Sequence, residues 1–237
     1  MSSASPGDSY ETLSRTIDHA VLRPTSTMEE LEDGCRLAVR YRVASICLLP
    51  YCVPRAAEWL RELDGGTHGV ALSTVIGFPH GTQPTSVKLA DVDAAAASGA
   101  VELDMVANLS LVKSRAWEEA ASDIGQVVQA ARSRNCLVKV IFETAELTCD
   151  EIAELCAICN DVRPDYIKTS TGFAGGGATP EAVTQMRRLA DPAIGVKASG
   201  GIRDLETALR YRRLGAGRLG TSSTATILDA WREKCEV

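Results

Sequence analysis

The 237-residue chain lacks features that several large classes of protein need. It has no run of about 18 apolar residues, so we do not expect it to span a membrane. Basic residues are outnumbered, 25 Lys and Arg against 31 Asp and Glu, and the net charge of −6 argues against nucleic acid as a main partner. Residues 1–9 are polar and lack the apolar stretch of a signal peptide, which favours a cytoplasmic protein.

Histidine is also scarce, and the three present (His19, His68 and His80) are not at zinc-finger spacing. Eight cysteines occur, mostly in apolar segments, and the pair Cys156 and Cys159 lies in a segment with the pattern of an amphipathic helix. Since cytosolic thiols stay reduced, we interpret the cysteines as packing residues, with a redox role of this pair left open. The sequence predicts no metal and no other cofactor.

The chain also has no G-x-G-x-x-G turn after its first strand, which disfavours the alternative of a doubly wound open sheet. Instead, short apolar runs alternate with longer amphipathic segments. The runs lie at residues 17–22, 43–49, 70–76, 101–107, 137–142, 166–169, 194–198 and 218–221. The amphipathic segments include residues 28–41, 84–98, 116–132, 149–161, 180–189 and 205–214. Eight alternations without a linker predict an α/β fold, a (β/α)₈ TIM barrel, as a single domain over residues 1–237, with residues 1–10 as a flexible tail.

Charged residues occur inside several of the predicted strands. Because side chains alternate between the two faces of a strand, Glu102 and Asp104 share one face. Lys139, Lys168 and Lys197 each lie opposite apolar neighbours in the same way. The outer face of a barrel strand packs against helices, so we expect the charged face to point into the barrel.

Two interpretations of these charges remain open. A buried charge is costly unless it is paired, so the set could be a Lys–Asp network that only stabilises the barrel. However, Asp104, Lys168 and Lys197 lie near the C-terminal ends of their strands, where barrel enzymes carry out their chemistry. A lysine amine becomes a nucleophile when a second ammonium group and desolvation lower its pKa from about 10.4. We therefore predict an imine-forming Lys168, a pKa-lowering Lys197 and a proton-transferring Asp104.

Glycine-rich segments follow the last three predicted strands, at residues 170–179, 199–203 and 220–223. Glycine lets backbone N–H groups approach an anion closely, and a helix N-terminus adds favourable partial charge. Loops after the last strands are the usual phosphate site of a barrel enzyme. Although each loop alone is a weak signal, the three together indicate a phosphorylated substrate.

Seven short motifs, in order along the chain, closely resemble those of deoxyribose-phosphate aldolases. They are IDH (17–19), SIC (45–47), VIGFP (75–79), ELDMV (102–106), KTSTGF (168–173), VKASGGIR (196–203) and GTSS (220–223). The resemblance implies a class I aldolase on a TIM barrel, often dimeric, that needs no cofactor. Such enzymes reversibly cleave 2-deoxy-D-ribose 5-phosphate to D-glyceraldehyde 3-phosphate and acetaldehyde through a lysine Schiff base.

The resemblance also implies roles for particular residues. Lys168 corresponds to the Schiff-base lysine, Lys197 to the second lysine and Asp104 to the proton-relay aspartate. The substrate pocket would include Asp18, Lys139 and Cys47. The phosphate would be bound by Gly172, Gly200, Gly201, Gly220, Ser222 and Ser223.

Three positions depart from the commonest family pattern. Arg23 stands where lysine is frequent, Leu49 where asparagine is frequent, and Thr224 where glycine is frequent. Leu49 would remove a polar group from the pocket rim and Thr224 would crowd the phosphate, so both bear on substrate range.

Two alternatives to this function remain: a Schiff-base aldolase for a different sugar or sugar phosphate, and a non-catalytic barrel that binds a sugar phosphate. In either case the expected partners are sugar phosphates and aldehydes, with no nucleic acid and no membrane. A homo-oligomer is also expected, with a dimer favoured.

Overall fold

The computed structural model describes residues 9–64 and 69–235. Eight parallel strands follow one another in sequence order and close into a barrel through pairing of the last strand with the first. They are β1 (Ile17–Val21), β2 (Ser45–Leu48), β3 (Ala71–Ile76), β4 (Glu102–Val106), β5 (Leu137–Ile141), β6 (Tyr166–Lys168), β7 (Gly195–Ser199) and β8 (Arg218–Thr221). Each strand begins and ends within two residues of a predicted run, and the predicted TIM barrel is confirmed.

Helices surround this barrel. In the described part of the chain they are α1 (Tyr10–Ser14), α2 (Met28–Tyr41), α3 (Val53–Asp64), α4 (Thr85–Ala97), α5 (Leu109–Lys113), α6 (Trp117–Ser133), α7 (Cys149–Val162), α8 (Pro180–Leu189), α9 (Leu205–Arg213) and α10 (Thr224–Cys235). The six predicted helices are present to within one residue at each end. Two of the others, α1 and α5, have five residues each and are too short to show a helical period.

Capping residues fix where the helices begin. In α2 the side chain of Thr27 accepts from the backbone N–H of Glu30, and the Glu30 carboxylate accepts from the N–H of Thr27. This reciprocal capping box satisfies two N–H groups that have no partner within the helix. The side chain of Thr179 caps α8 by accepting from the N–H of Ala182, and Pro180 occupies the first helical position.

The two faces of each strand differ as the alternation predicts. The outward side chains of β4, β5 and β6 are apolar and buried against the helices: Leu103, Met105, Val138, Val140 and Ile167. The intervening positions point into the barrel and carry the charged residues described below. The apolar layer between strands and helices is therefore the main hydrophobic core, and the barrel interior is left for polar groups.

The predicted N-terminal tail, residues 1–10, falls mostly on residues 1–8, which lie outside the described part of the chain, as does His68. Of the two tail residues that are described, Ser9 caps α1, and Tyr10 begins it, with its ring 5.8 Å from the ring of Trp231 in α10. The flexible tail stays a prediction. Among the described helices, none is long and apolar enough to cross a membrane.

A buried ion pair outside the barrel joins two neighbouring helices to a strand. Lys88 in α4 is fully buried, and its Nζ lies 2.6 Å from Asp123 Oδ2 in α6. The same ammonium group donates to the carbonyl of Val106, the last residue of β4, at 3.1 Å. Thr85 Oγ1 donates to the other carboxylate oxygen at 2.8 Å. These bonds fix α4 and α6 relative to the end of β4.

Replacing Lys88 should therefore destabilise the fold strongly. Lys88→Met leaves the Asp123 carboxylate buried without its cation, which should lower the free energy of unfolding by about 3–5 kcal/mol in urea titrations. Arg134→Ala is the matched control, because it breaks a pair with Asp93 in which both side chains are more than half exposed. That change should cost about 1 kcal/mol or less. Equal losses in the two variants would contradict this view of the buried pair.

Candidate active site

Seven charged side chains lie inside the barrel and form one network of ion pairs, called here the interior charge cluster. Its members are Asp18, Glu102, Asp104, Lys139, Lys168, Lys197 and Arg218. Each side chain is at most a tenth exposed. Strand register brings them together: Lys168 on β6 is the direct partner of Lys197 on β7, and Asp104 on β4 is that of Lys139 on β5.

Asp104 lies at the centre of this cluster and binds three ammonium groups. Its Oδ1 accepts from Lys139 Nζ at 2.7 Å. Its Oδ2 accepts from Lys168 Nζ at 2.8 Å and from Lys197 Nζ at 2.7 Å. Burial alone would raise the pKa of this carboxyl, but the three lysines hold it well below its usual range. The structure thus brings the three predicted catalytic residues into direct contact through one carboxylate.

The two lysines that share Asp104 Oδ2 differ in pKa. Burial lowers the pKa of Lys168, and the neighbouring Lys197 ammonium lowers it further, while Asp104 opposes both effects. The pKa of Lys197 is raised despite burial, because Asp104 and Asp18 both favour its charged form. Asp18 Oδ2 lies 2.5 Å from Lys197 Nζ. Of the two causes expected from the sequence, a second ammonium group and desolvation, burial is the larger.

A cavity of about 330 Å³ opens above the cluster at the C-terminal ends of the strands. Lys168, Lys197 and Cys47 line it. Burial raises the pKa of the Cys47 thiol, so this side chain forms a neutral part of the wall. Asp18 and Lys139, which were also predicted in the pocket, are fully buried beneath it and do not line it. Asp18 contacts Lys197, and Lys139 contacts Asp104.

The predicted phosphate-binding residues converge on the same cavity, with one exception. Those that line it are Gly172, Gly200, Gly201, Gly220 and Ser222. Ser223 does not, and its backbone N–H already donates to Thr221 Oγ1 at 2.9 Å. A free N–H at Ser223 is therefore not offered to a ligand.

Backbone conformation explains why glycine occupies two of these positions. Gly172 has φ +88° and Gly201 has φ +82°, values that side-chain-bearing residues rarely adopt. A Cβ at either position would meet no atom within 4 Å, so the requirement for glycine comes from the backbone and not from crowding. At Gly220 the reason is space, because a Cβ there would lie 2.7 Å from Ser199 Cβ.

The three departures from the family pattern have different consequences. Thr224 is fully buried and its Oγ1 lies 2.9 Å from Nδ1 of His19, so the expectation that it crowds the phosphate region is wrong. Burial lowers the pKa of His19 to about 4, which makes it a neutral partner in this bond. Leu49 is not among the residues that line the cavity. Arg23 does line it, together with Arg203, and Nη2 of Arg23 lies 3.1 Å from Glu30 Oε1.

Sequence reasoning gave no role to two charged residues that contact the site. Arg218 begins β8, two positions before Gly220. The two residues therefore share one face of the strand, the face that points into the barrel. Glu143 follows β5 and is nearly fully buried, with φ +57°. Its carboxylate accepts from both the N–H and the Oγ1 of Thr171, and Thr171 Oγ1 accepts from the N–H of Phe173 at 3.0 Å. Glu143 therefore fixes the loop at one side of the cavity, and since it lies outside the strands no periodicity pointed to it.

The cysteines contribute to packing. Six of them are buried free thiols, namely Cys35, Cys47, Cys52, Cys136, Cys156 and Cys159, and Cys149 is an exposed free thiol. Burial raises the pKa of Cys156 to about 12 and that of Cys159 well above its usual value, which disfavours the reactive thiolate in the pair considered for a redox role. Within residues 9–64 and 69–235, no group of three or more His, Cys, Asp and Glu side chains is placed to hold a metal ion.

Known proteins with similar sequences and structures share this architecture. The sequence pattern of the DeoC/LacD family aldolases matches residues 8–229. The deoxyribose-phosphate aldolase of Rhodopirellula baltica is 43% identical over 95% of this chain and 91% of its own length. That of Thermococcus kodakarensis is 42% identical over 92% of this chain and 96% of its own. The tetrameric deoxyribose phosphate aldolase of Aeropyrum pernix superimposes with a TM-score of 0.86 at 34% identity, over 97% of this chain and 94% of the other. The chain therefore belongs to the DeoC/LacD aldolase family.

Proposed function

We propose that this chain is a class I aldolase that reversibly cleaves 2-deoxy-D-ribose 5-phosphate to D-glyceraldehyde 3-phosphate and acetaldehyde. The observation that carries the proposal is the Lys168 amine: it lines the cavity, its pKa is lowered, and it lies 2.8 Å from Asp104. An amine with a lowered pKa is a nucleophile near neutrality and forms an imine with a carbonyl carbon. The sugar specificity is that of the relatives at more than 40% identity.

The reaction uses Lys168 as an electron sink. Its neutral amine attacks the C1 aldehyde of the open-chain sugar, and loss of water gives an iminium ion. The C3 hydroxyl then loses its proton, the C2–C3 bond breaks, and its electron pair moves onto the iminium to form an enamine. Glyceraldehyde 3-phosphate leaves, the enamine carbon gains a proton, and water hydrolyses the resulting imine to release acetaldehyde and regenerate the amine.

Asp104 is the proposed proton carrier, acting directly or through a water molecule. Its Oδ2 lies between Lys168 and Lys197, 2.8 and 2.7 Å from their nitrogens. Formation of the iminium ion leaves a single N–H on the nitrogen of Lys168, so this side chain donates fewer hydrogen bonds than the free ammonium group and its hold on the carboxylate weakens. Asp104 can then accept the proton released from the C3 hydroxyl and return it to the enamine carbon.

The cavity also offers groups suited to the phosphate of the substrate. Gly172 and Gly201 present backbone at the lining, and Arg203, which also lines the cavity, adds positive charge there. The 12-residue helix α10 begins at Thr224, two residues after the lining residue Ser222, and its N-terminus adds favourable partial charge.

Trapping the covalent intermediate tests the proposal directly. Borohydride added together with 2-deoxyribose 5-phosphate should inactivate the protein and leave a reduced adduct on Lys168, identified by peptide mass. Lys168→Met should remain free of the adduct. A strong chelator should leave turnover unchanged in parallel assays.

Other outcomes of this experiment point to other functions. An adduct on Lys197 would overturn the assignment of the nucleophile. An adduct formed only with other sugars would indicate a Schiff-base aldolase of different specificity. Tight binding of the sugar phosphate without adduct or cleavage would indicate a non-catalytic barrel.

The phosphate contacts are tested at Gly201. Gly201→Val forces a β-branched residue to adopt φ +82° and displaces the backbone at the lining. We expect kcat/KM for the phosphorylated sugar to fall about 10- to 100-fold, which corresponds to the loss of one hydrogen bond to a charged group. Turnover of unphosphorylated deoxyribose, which is slow because it lacks this binding energy, should change little. Equal damage to both substrates would contradict a phosphate-specific role.

The effect of Lys197 on Lys168 is tested through the pH dependence of activity. Lys197→Met removes the neighbouring positive charge, so protonated Lys168 becomes more favourable and its pKa rises. We expect kcat/KM to fall at pH 7 and partly recover at higher pH, with the rising limb shifted by roughly 1 unit to the alkaline side. Lys113→Met, at an exposed lysine, is the matched control. A loss of equal size at every pH would mean that Lys197 acts as a positioned donor.

A further inference from the structure

The interior charge cluster contains more positive than negative groups. Four cationic side chains, Lys139, Lys168, Lys197 and Arg218, face three carboxylates. We infer that Arg218 is a positioning residue of the reaction: it occupies two of the three carboxylates permanently and so leaves Lys168 as the cation that must lose its proton. The inference rests on the proposed Schiff-base function and extends it to a residue that does not touch the cavity.

Arg218 is bound firmly to both of its partners. Its Nε and Nη2 lie 2.7 and 2.6 Å from Asp18 Oδ1. The same Nη2 lies 2.6 Å from Glu102 Oε2, and the guanidinium carbon lies 5.7 Å from the centre of the Tyr166 ring. A guanidinium group keeps its charge in proteins, unlike a lysine, which releases its proton readily when buried. Arg218 is therefore a fixed positive charge beneath the titrating lysines.

The remaining cations share the carboxylates unequally. Lys139 Nζ lies 2.7 Å from Asp104 and from Glu102, and 3.7 Å from Asp18. Lys197 contacts both Asp104 and Asp18. Among the described residues, Lys168 forms an ion pair with Asp104 alone, and it shares the same oxygen with Lys197. An uncompensated charge in a dry interior is removed most easily by loss of a proton, and the cation with the fewest partners loses it first.

Outside the interior charge cluster, no ionisable group of the described residues forms an ion pair with Lys168. In the described part of the chain, the ionisable groups inside the barrel and beside its cavity are Asp18 on β1, Arg23 after β1, Cys47 on β2, Glu102 and Asp104 on β4, Lys139 on β5, Glu143 after β5, Tyr166 on β6, Lys197 on β7, Arg203 after β7 and Arg218 on β8. Arg23 and Arg203 are cations and do not reduce the positive excess. Burial keeps the Cys47 thiol neutral. The Glu143 carboxylate is bound by Thr171, and burial raises its pKa.

The charge balance predicts that two substitutions shift the pKa of Lys168 in opposite directions. In Arg218→Met, a protonated Lys168 completes a neutral cluster of three cations and three carboxylates, so the pKa of Lys168 should rise. In Glu102→Gln, a protonated Lys168 adds to a larger positive excess, so its pKa should fall. The double variant restores the native excess of one positive charge, and its Lys168 should titrate close to the native value.

The test measures the pH dependence of Lys168 adduct formation with borohydride and 2-deoxyribose 5-phosphate, quantified by peptide mass. In Arg218→Met the rising limb of this pH profile should move by about 1 pH unit to the alkaline side. In Glu102→Gln it should move to the acid side, and in the double variant it should lie close to its wild-type position. Arg218→Lys keeps the charge and should move the limb less than Arg218→Met. Arg213→Met, at an exposed arginine, should leave it in place.

The outcomes separate this inference from the proposed function. If wild-type protein forms the adduct but both single variants lose it equally at every pH, Arg218 has only a structural role and the inference is wrong. If Arg218→Met does not fold, the Glu102→Gln variant alone tests the inference. A pH profile that is not shifted to the acid side in Glu102→Gln overturns it. If wild-type protein forms no adduct at all, both the proposed function and the inference fail.

Discussion

The central constraint on this protein is that its barrel encloses more positive charge than negative charge, away from water. Placing charge in such an interior is costly, and the cost is reduced when carboxylates and cations lie in direct contact. Asp104 shows how far this sharing goes, since its two oxygens accept from three lysines. The one charge left over cannot be satisfied by pairing, and the chemistry of the site follows from which residue gives it up.

The rest of the fold maintains this condition. Continuous pairing around the closed barrel fixes the register that places Lys168 beside Lys197. The apolar outer faces of the strands pack against the helices and hold them around the barrel. At the open end, Glu143 holds Thr171 in the loop that leads to Gly172, so the cavity forms directly over the Lys168 amine. Reactive group, dry interior and ligand-binding loops thus depend on the same strand order.

Much of this was predictable because the relevant signals are local. Alternation along a strand was enough to place Asp104, Lys168 and Lys197 inside the barrel, and apolar runs gave the strand positions. Long-range partners were harder to predict: Arg218 contacts Glu102, 116 residues away, and no local pattern reveals that pairing. The orientation of Thr224 was misjudged for the same reason, since its partner His19 is 205 residues away. The relative size of burial and charge repulsion at Lys168 also required the packed structure.

The most direct measurement of the central claim is the titration of the lysine side chains themselves by NMR, with lysine labelled at Cε with ¹³C. The signal of Lys168, identified by its absence in Lys168→Met, should titrate well below the ordinary lysine value of about 10.4. The signals of Lys139 and Lys197 should remain those of charged ammonium groups through the same pH range. Titration of Lys168 together with the exposed lysines would contradict the account, because the excess charge of the barrel interior would then not be relieved at the proposed nucleophile.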